Sequence, residues 1–220
     1  MKQITVLMAR TVWLFDLSEF NPKGLNLWAI YEWLIKKYHF ASFPKNVLDV
    51  NADKALAFQA GTFVNSKTEN ILVSLAVYNN GLAAEAYSST DDSDEFVEEV
   101  GIEISKQFGL KIPSNVQKAY VSQLEADFDF SLAGFNPKLT ALADLLSTTV
   151  KPADGKLRTF DFGALQLWTD DVNPSTSPAY FRFERKIGSP FARNRYFSQA
   201  ALKTKVHRDF LEKFEAAFQL

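Results

Sequence analysis

The chain has no cysteine, only two histidines and only nine glycines among its 220 residues. The lack of cysteine excludes disulfides, thiolate zinc sites and cysteine nucleophiles, and two histidines are too few for a histidine-rich metal cage. The sequence also lacks a glycine-rich phosphate loop, a nucleophile elbow and an HExxH motif. We therefore expect a protein that acts by binding rather than by catalysis, with no cofactor and no metal.

Long apolar runs are absent as well. Arg10 interrupts the apolar N-terminal segment, and no stretch approaches the roughly 18–20 apolar residues that span a bilayer. The expectation is a cytoplasmic protein without membrane segments. Its 47% hydrophobic and 14% aromatic residues are ample for a buried core.

Charge is segregated along the chain, although the formal net charge is only −2. Between Glu85 and Glu103 there are eight carboxylates and no Lys or Arg. Between Tyr180 and Arg208 there are eight Lys or Arg and a single Glu. Such a chain can attract partners of opposite charge at its two ends, although the acidic run also suits a solvated helix face.

An internal repeat organises the sequence. FNPK occurs at 20–23 and again at 135–138, and two further segment pairs match in the same order, 54–60 with 163–169 and 105–110 with 215–220. These matches predict two copies of a unit of about 110 residues, 1–112 and 113–220, packed as a single body. FNPK itself is interpreted as a strand-to-helix corner, because Asn is a good N-cap, Pro suits the first helical position and the preceding Phe can form a hydrophobic staple.

Each copy reads as a strand, a helix, about four strands and a closing helix. Residues 124–132 alternate apolar and polar in the period of a strand with one wet face. After the first helix, we expect strands over 46–52, 55–64, 70–78 and 81–89, and in the second copy over 157–163, 164–170, 179–187 and 193–202. Asn79-Asn80-Gly81 predicts a two-residue hairpin. The helices carry apolar stripes, such as Leu27, Ile30, Tyr31, Leu34, Ile35 and Tyr38 in the first copy and Leu139, Leu142, Leu145 and Leu146 in the second.

The predicted fold is therefore α+β: two tandem β-α-β(4)-α units that form one curved antiparallel sheet with helices on one face. In its order of elements it resembles the TATA-binding-protein-like saddle, in which two halves join edge to edge. That resemblance implies a ligand on the concave face. Because an internally duplicated saddle already supplies a two-fold axis, a monomer is favoured over a homodimer.

The basic run predicts a basic-aromatic hairpin in the second copy. Arg182 and Lys186 share a strand face with Glu184, Arg185 lies on the other face, and basic residues return on the paired strand. Arginine suits carboxylates, phosphates and stacked bases. The candidate binding residues are Arg182, Glu184, Arg185, Lys186, Arg193, Arg195, Tyr196 and Arg208.

Three interpretations of this hairpin are open. It contacts a protein partner through arginine and aromatic anchors, it binds nucleic acid or a nucleotide-like anion, or it pairs with the acidic run of the other copy and is structural. The acidic balance of the chain disfavours nucleic acid. The expected function is thus an accessory or regulatory protein that binds a protein partner.

An enzyme is the remaining alternative. It would need a pocket in which Glu184 lies beside Arg182, Arg193 and Arg195. A second catalytic candidate is the carboxylate pair of Asp127 and Asp129, which lie two apart on one strand face.

Overall fold

The computed structural model describes residues 1–20, 27–45, 56–78, 80–113, 115–150, 155, 158–170 and 180–217. Its strands are β1 (Lys2–Leu14), β2 (Leu56–Val64), β3 (Asn70–Tyr78), β4 (Gly81–Ala86), β5 (Gln117–Asp127), β6 (Ala164–Leu167), β7 (Phe181–Arg185) and β8 (Arg195–Ala200). Its α-helices are α1 (Leu17–Phe20), α2 (Leu27–Tyr38), α3 (Thr90–Phe108), α4 (Pro137–Thr149) and α5 (Thr204–Ala217). Short 3₁₀ helices cover Leu132–Phe135 and Phe191–Arg193.

The predicted class is confirmed, since the structure is α+β with helices and one eight-stranded antiparallel sheet. The strand order is β2-β3-β4-β1-β5-β8-β7-β6. The predicted hairpin between β3 and β4 is confirmed, because Tyr78 pairs directly with Gly81. Asn79 lies outside the described residues. Among the described residues, no helix is long and apolar enough to cross a membrane. The cytoplasmic location stays a prediction.

By its contacts the chain divides into two compact units. The N-terminal unit consists of residues 6–123 and 201–205, and the C-terminal unit of residues 1–5, 124–200 and 206–220. The predicted copies, 1–112 and 113–220, are defined by the repeat in the sequence, and their bounds stay a prediction.

Each unit has its own core. In the N-terminal unit α2 and α3 pack on β2–β4, and the aromatic rings of Tyr38, Phe63 and Phe96 meet at centroid distances of 5.0 and 5.4 Å. In the C-terminal unit Phe183 stacks on Tyr196 at 4.6 Å and contacts Phe214 of α5 edge-on. In the 124–132 segment the apolar residues predicted to share one face, Leu124, Ala126, Phe128, Phe130 and Leu132, are all buried, and Glu125 is buried as well.

The helix start predicted at the second FNPK is confirmed, although a 3₁₀ helix, not a strand, directly precedes it. Asn136 is the N-cap of α4, its side-chain oxygen accepts a hydrogen bond from Lys138 N at 2.9 Å, and Pro137 is the first helical residue. In the first copy, residues 21–23 lie outside the described residues.

Three strands, not four, follow the first long helix of each copy in the described residues. Residues 46–52 lie outside the described residues. Residues 158–163 form no strand, because their amides bond to side chains instead of a neighbouring strand. Phe160 N donates to Ser147 Oγ at 2.8 Å and Phe162 N donates to Asp161 Oδ1 at 2.7 Å.

The apolar stripe predicted for α4 is not buried. Leu142, Leu145 and Leu146 are exposed, and Ala143 is the buried residue of the helix. α4 contacts the unit through its small residues, since Thr140 Oγ1 donates to Ala133 O at 2.8 Å and Ser147 Oγ accepts from Phe160 N. The stripe of α2 is buried as predicted at Ile30, Tyr31, Leu34 and Tyr38.

Candidate interaction site

The basic-aromatic hairpin consists of β7, the turn 186–194 and β8. Lys186 N donates to Arg195 O at 2.9 Å, which closes the ladder at the base of the turn. Inside the turn, Gly188 (φ 81°) and Asn194 (φ 48°) have left-handed backbone conformations that glycine and asparagine tolerate best. The sequence therefore provides the residues that this turn geometry requires.

The two faces of the hairpin have different surroundings. Phe183, Tyr196 and Ser198 are buried on the face that packs against α5. Arg182, Glu184, Lys186 and Arg195 alternate with them and lie on the opposite face, which we call the open face of the C-terminal unit. Arg185 lies on the face of Phe183. This division of the charged residues between the two faces is the one that the period-2 pattern predicts.

On the open face, basic residues of the hairpin meet carboxylates of β5. Glu125 accepts hydrogen bonds from Arg195 Nε and, at 2.7 Å, forms an ion pair with Lys186 Nζ. Asp127 accepts from Arg195 Nη1 at 2.9 Å and lies 3.4 Å from Arg193 Nε. Burial opposes ionisation of Glu125, but the hydrogen bonds from Lys186 and Arg195 outweigh it and hold the pKa of Glu125 below its ordinary value.

Arg182 and Glu184 form a separate pair on the same face. Arg182 Nε donates to Glu184 Oε2 at 2.7 Å, and the Arg182 guanidinium lies 6.0 Å from the ring centroid of Phe197. Glu184 is therefore held by Arg182, while Arg193 and Arg195 turn to β5. The pocket that an enzyme would need, with Glu184 beside all three arginines, is not formed.

Arg185 anchors the turn from the other face. Its Nη2 donates to Ser131 Oγ at 2.8 Å and to Asp161 Oδ2 at 2.9 Å, and its Nη1 donates to Phe191 O at 3.1 Å. The guanidinium lies 4.7 Å from the ring centroid of Phe191. Arg185 is thus a nearly buried cation that fixes the turn to the unit.

Tyr196 lies beneath the charged residues, with the Arg185 guanidinium 5.3 Å from its ring centroid, and Arg208 lies apart from them on α5. Tyr196 is fully buried, and its hydroxyl accepts a hydrogen bond from Leu132 N at 3.0 Å, so its role is structural. Arg208 is exposed on α5 and forms no ion pair with a described residue. Neither contributes to one surface with the hairpin cations.

Nine side chains make up what we call the ion-pair cluster: Arg182, Arg185, Lys186, Arg193, Arg195, Glu125, Asp127, Asp161 and Glu184. Five cations face four carboxylates, so the net charge of the cluster is +1. All of its carboxylates belong to the C-terminal unit. In the N-terminal unit, the acidic run has its own lysine partners, as in the pairs of Lys37 with Glu99 and of Lys118 with Asp94.

The turn itself exposes apolar side chains. Ile187 is 95% exposed and Phe191 is 46% exposed, and the half-exposed Arg193 follows them. Arg193 Nη2 also donates to Gln3 Oε1 at 2.8 Å, which limits its freedom. The exposed end of the hairpin is therefore an aliphatic and aromatic tip with a cation beside it, on a fixed base.

Sequence reasoning included Glu184 but missed Glu125, Asp127 and Asp161 as partners of the hairpin cations. Asp127 and Asp129 were singled out as a possible catalytic pair, but Asp127 binds the arginines while Asp129 accepts from Lys2 Nζ at 2.9 Å. Asp161 lies in a segment predicted as a strand. The alternating carboxylates of β5 were the available signal, and pairing them with the hairpin required knowing that β5 and β8 are neighbours.

Within the described residues, no group of three or more His, Asp or Glu side chains is placed to hold a metal ion. No protein-family model matches the chain, and no curated protein matches it. Among solved structures, the chain is similar to Methanococcus jannaschii TBP, with 11% identity, a TM-score of 0.43, and 99% of this chain and 98% of that chain covered. A likeness of this size carries no information on a ligand, and the function has to be argued from the side chains.

Proposed function

We propose that this is a non-enzymatic interaction protein, accessory or regulatory in role, whose basic-aromatic hairpin contacts a protein partner. The observation that carries the proposal is the exposed tip of the hairpin. Ile187 is almost fully exposed, Phe191 is half-exposed, and the half-exposed Arg193 belongs to the same turn. An isolated exposed aliphatic residue is ordinary on a protein surface, but this one shares its turn with an aromatic ring and a cation.

The chemistry of the tip suits a protein surface. Arginine and aromatic residues are enriched among the residues that carry the binding energy of protein interfaces. Arg185 and the ladder between Lys186 and Arg195 hold the turn in place. A turn that is already ordered loses little conformational freedom on binding, which favours affinity.

The charge balance of the same region argues against a nucleic-acid ligand. Binding to a phosphate backbone rests on several unpaired cations that release counterions. Here the ion-pair cluster has a net charge of only +1, because Glu125, Asp127, Asp161 and Glu184 occupy most of the guanidinium groups. A protein partner needs no such excess of positive charge.

The test is photo-crosslinking in lysate with a photoreactive amino acid in place of Ile187. The matched control carries the same amino acid in place of Val64, which is exposed in the N-terminal unit. Half of each sample is treated with nuclease. We expect a discrete adduct from position 187 that resists nuclease and no such adduct from position 64.

Two results would contradict the proposal. An adduct that nuclease removes would make nucleic acid the ligand of the hairpin. The same adducts from both positions, or none from either, would mean that the tip is not a contact surface. An Ile187→Asp variant of the bait with unchanged thermal stability should lose the partner in an ordinary pull-down.

A further inference from the structure

The two edge strands of the sheet differ in how they are protected. At β2, Gln59 N donates to Ser42 O at 2.8 Å and Ser42 N donates to Gln59 O at 3.2 Å, so a neighbouring segment covers part of the edge. A register shift between Phe58 and Gly61 adds a bulge. In the described part of the chain, β6 pairs with β7 and with no other strand.

Natural proteins protect edge strands with bulges, covering segments, lysine or proline, because an open edge is a template for another strand. Within the described residues, β6 has none of these four. Its sequence is Ala-Leu-Gln-Leu, and the flanking residues Phe162, Gly163 and Trp168 are uncharged as well. Its shortness is the one feature that limits pairing.

The register of β6 with β7 shows which backbone groups are available. Ala164 pairs with Glu184, and Arg185 N donates to Gly163 O at 2.8 Å. In an antiparallel ladder the hydrogen-bonded positions alternate, so Gly163, Leu165 and Leu167 direct their N–H and C=O groups to β7. The N–H and C=O groups of Ala164 and Gln166 therefore point away from the sheet.

We infer that β6 pairs antiparallel with β6 of a second copy of this chain, around a two-fold axis at Leu165. Ala164 of each copy then lies opposite Gln166 of the other. Each of these two residue pairs can exchange two hydrogen bonds, which gives about four bonds between the copies. Since residues 162–168 carry no charge, the two strands do not repel each other.

The ends of β6 are complementary in the same arrangement. Trp168 is 72% exposed at one end and stacks on Tyr180 at 4.6 Å. The hydrogen bond from Arg185 N to Gly163 O places the hairpin turn at the other end. The two-fold axis therefore brings the Trp168 end of β6 in one copy to the end that carries the hairpin turn in the other.

This inference rests on the proposed function, because it names a second copy as a partner of the hairpin tip. The repeat in the sequence favoured a monomer, since duplication already supplies a two-fold axis. The open edge of β6 is a separate observation, and it points to a homodimer.

The test is sedimentation equilibrium of the full chain over a wide range of protein concentration. Gln166→Pro removes an outward N–H and leaves the ladder to β7 intact, because Gln166 does not bond to β7. The matched control, Gln166→Ala, keeps the N–H and loses only the side chain. We expect a concentration-dependent dimer for the wild type and the Gln166→Ala variant, and at least a tenfold larger dissociation constant for Gln166→Pro.

Hydrogen exchange keeps the inference testable if Gln166→Pro fails to fold. In the wild type, the amides of Ala164 and Gln166 should exchange slowly at high protein concentration and rapidly after dilution. A wild type that stays monomeric, a dimer unaffected by Gln166→Pro, or amides indifferent to dilution would each overturn the inference. If the wild type is monomeric while position 187 still crosslinks to another protein, the proposed function is supported. Only the inference that the partner is a second copy of this chain is then wrong.

Discussion

The sheet face opposite the helices differs sharply between the two units. In the N-terminal unit it includes Ala57, Ala76 and Ala83, which line a concavity of about 330 Å³. In the C-terminal unit it carries the charged side chains of β7 and β8. The two units share an order of elements, yet this face carries alanines and the Arg10–Glu85 pair in the N-terminal unit and several ion pairs in the C-terminal unit. A repeat in sequence therefore predicts cores better than surfaces.

The helices show the same difference. α2 buries its apolar stripe in the N-terminal unit, whereas α4 leaves its leucines in solvent. α2 is thus held by apolar packing, whereas α4 is held by hydrogen bonds of Thr140 and Ser147.

The largest expected change in the free energy of unfolding comes from a comparison of α2 with α4, the equivalent helices of the two copies. Leu34→Ala in α2 removes a side chain that is 1% exposed, and its cavity should lower the free energy of unfolding by about 2–5 kcal/mol. Leu145→Ala in α4, at a residue 61% exposed, should change it by less than about 0.5 kcal/mol. Urea unfolding of both variants measures the difference. Equal losses would mean that α4 is packed in solution as tightly as α2.

The second prediction compares carboxylates on the two open faces. Glu125→Gln should lower the free energy of unfolding by about 1.5–3 kcal/mol, because it weakens the charge-assisted hydrogen bonds of buried Glu125 with Arg195 and Lys186 while Arg195 keeps Asp127. Glu85→Gln, which breaks a more exposed pair with Arg10, should cost less than about 1 kcal/mol. Thermal unfolding of both variants tests this order, and a reversed order would remove the argument that ion pairs hold the hairpin.

The sequence predicts features that depend on neighbouring residues better than contacts between residues that are far apart in the chain. Periodicity predicts the alternation of residues 124–132 and the opposite faces of Arg182 and Arg185, because alternation is a local property. It failed at α4, where an apolar stripe at helical spacing cannot say whether a neighbour covers it. It also missed Glu125 as the partner of Arg195, since that pair joins positions far apart in sequence.

The third prediction concerns acid sensitivity of the C-terminal unit. Burial lowers the pKa of His207 from 6.5 to about 4, and its Nε2 lies 2.9 Å from Ser198 Oγ. Between these two pKa values the unfolded chain binds a proton that the folded chain does not. The stability is therefore fully present above the unfolded pKa and is lost as the pH falls toward 4, by about 2 kcal/mol between pH 7 and pH 5.

Urea unfolding at several pH values measures this slope. The His207→Gln variant should lose that part of the pH dependence, whereas the His39→Gln variant should keep it. An unchanged slope in His207→Gln would mean that carboxylates alone cause the acid sensitivity.

The smallest expected change in the free energy of unfolding concerns the FNPK segment, which occurs in both copies. Asn136→Ala removes the side-chain oxygen that accepts from Lys138 N at the start of α4, and it should cost about 1 kcal/mol. Asn21 occupies the same place in the first FNPK and lies outside the described residues. If the repeat preserves the corner, Asn21→Ala should cost about as much in chemical unfolding, even though the helix that follows is far better buried. Capping energy depends on local geometry and hardly on how the rest of the helix packs. A loss of stability at position 136 alone would therefore mean that the two FNPK segments have the same sequence but different structures.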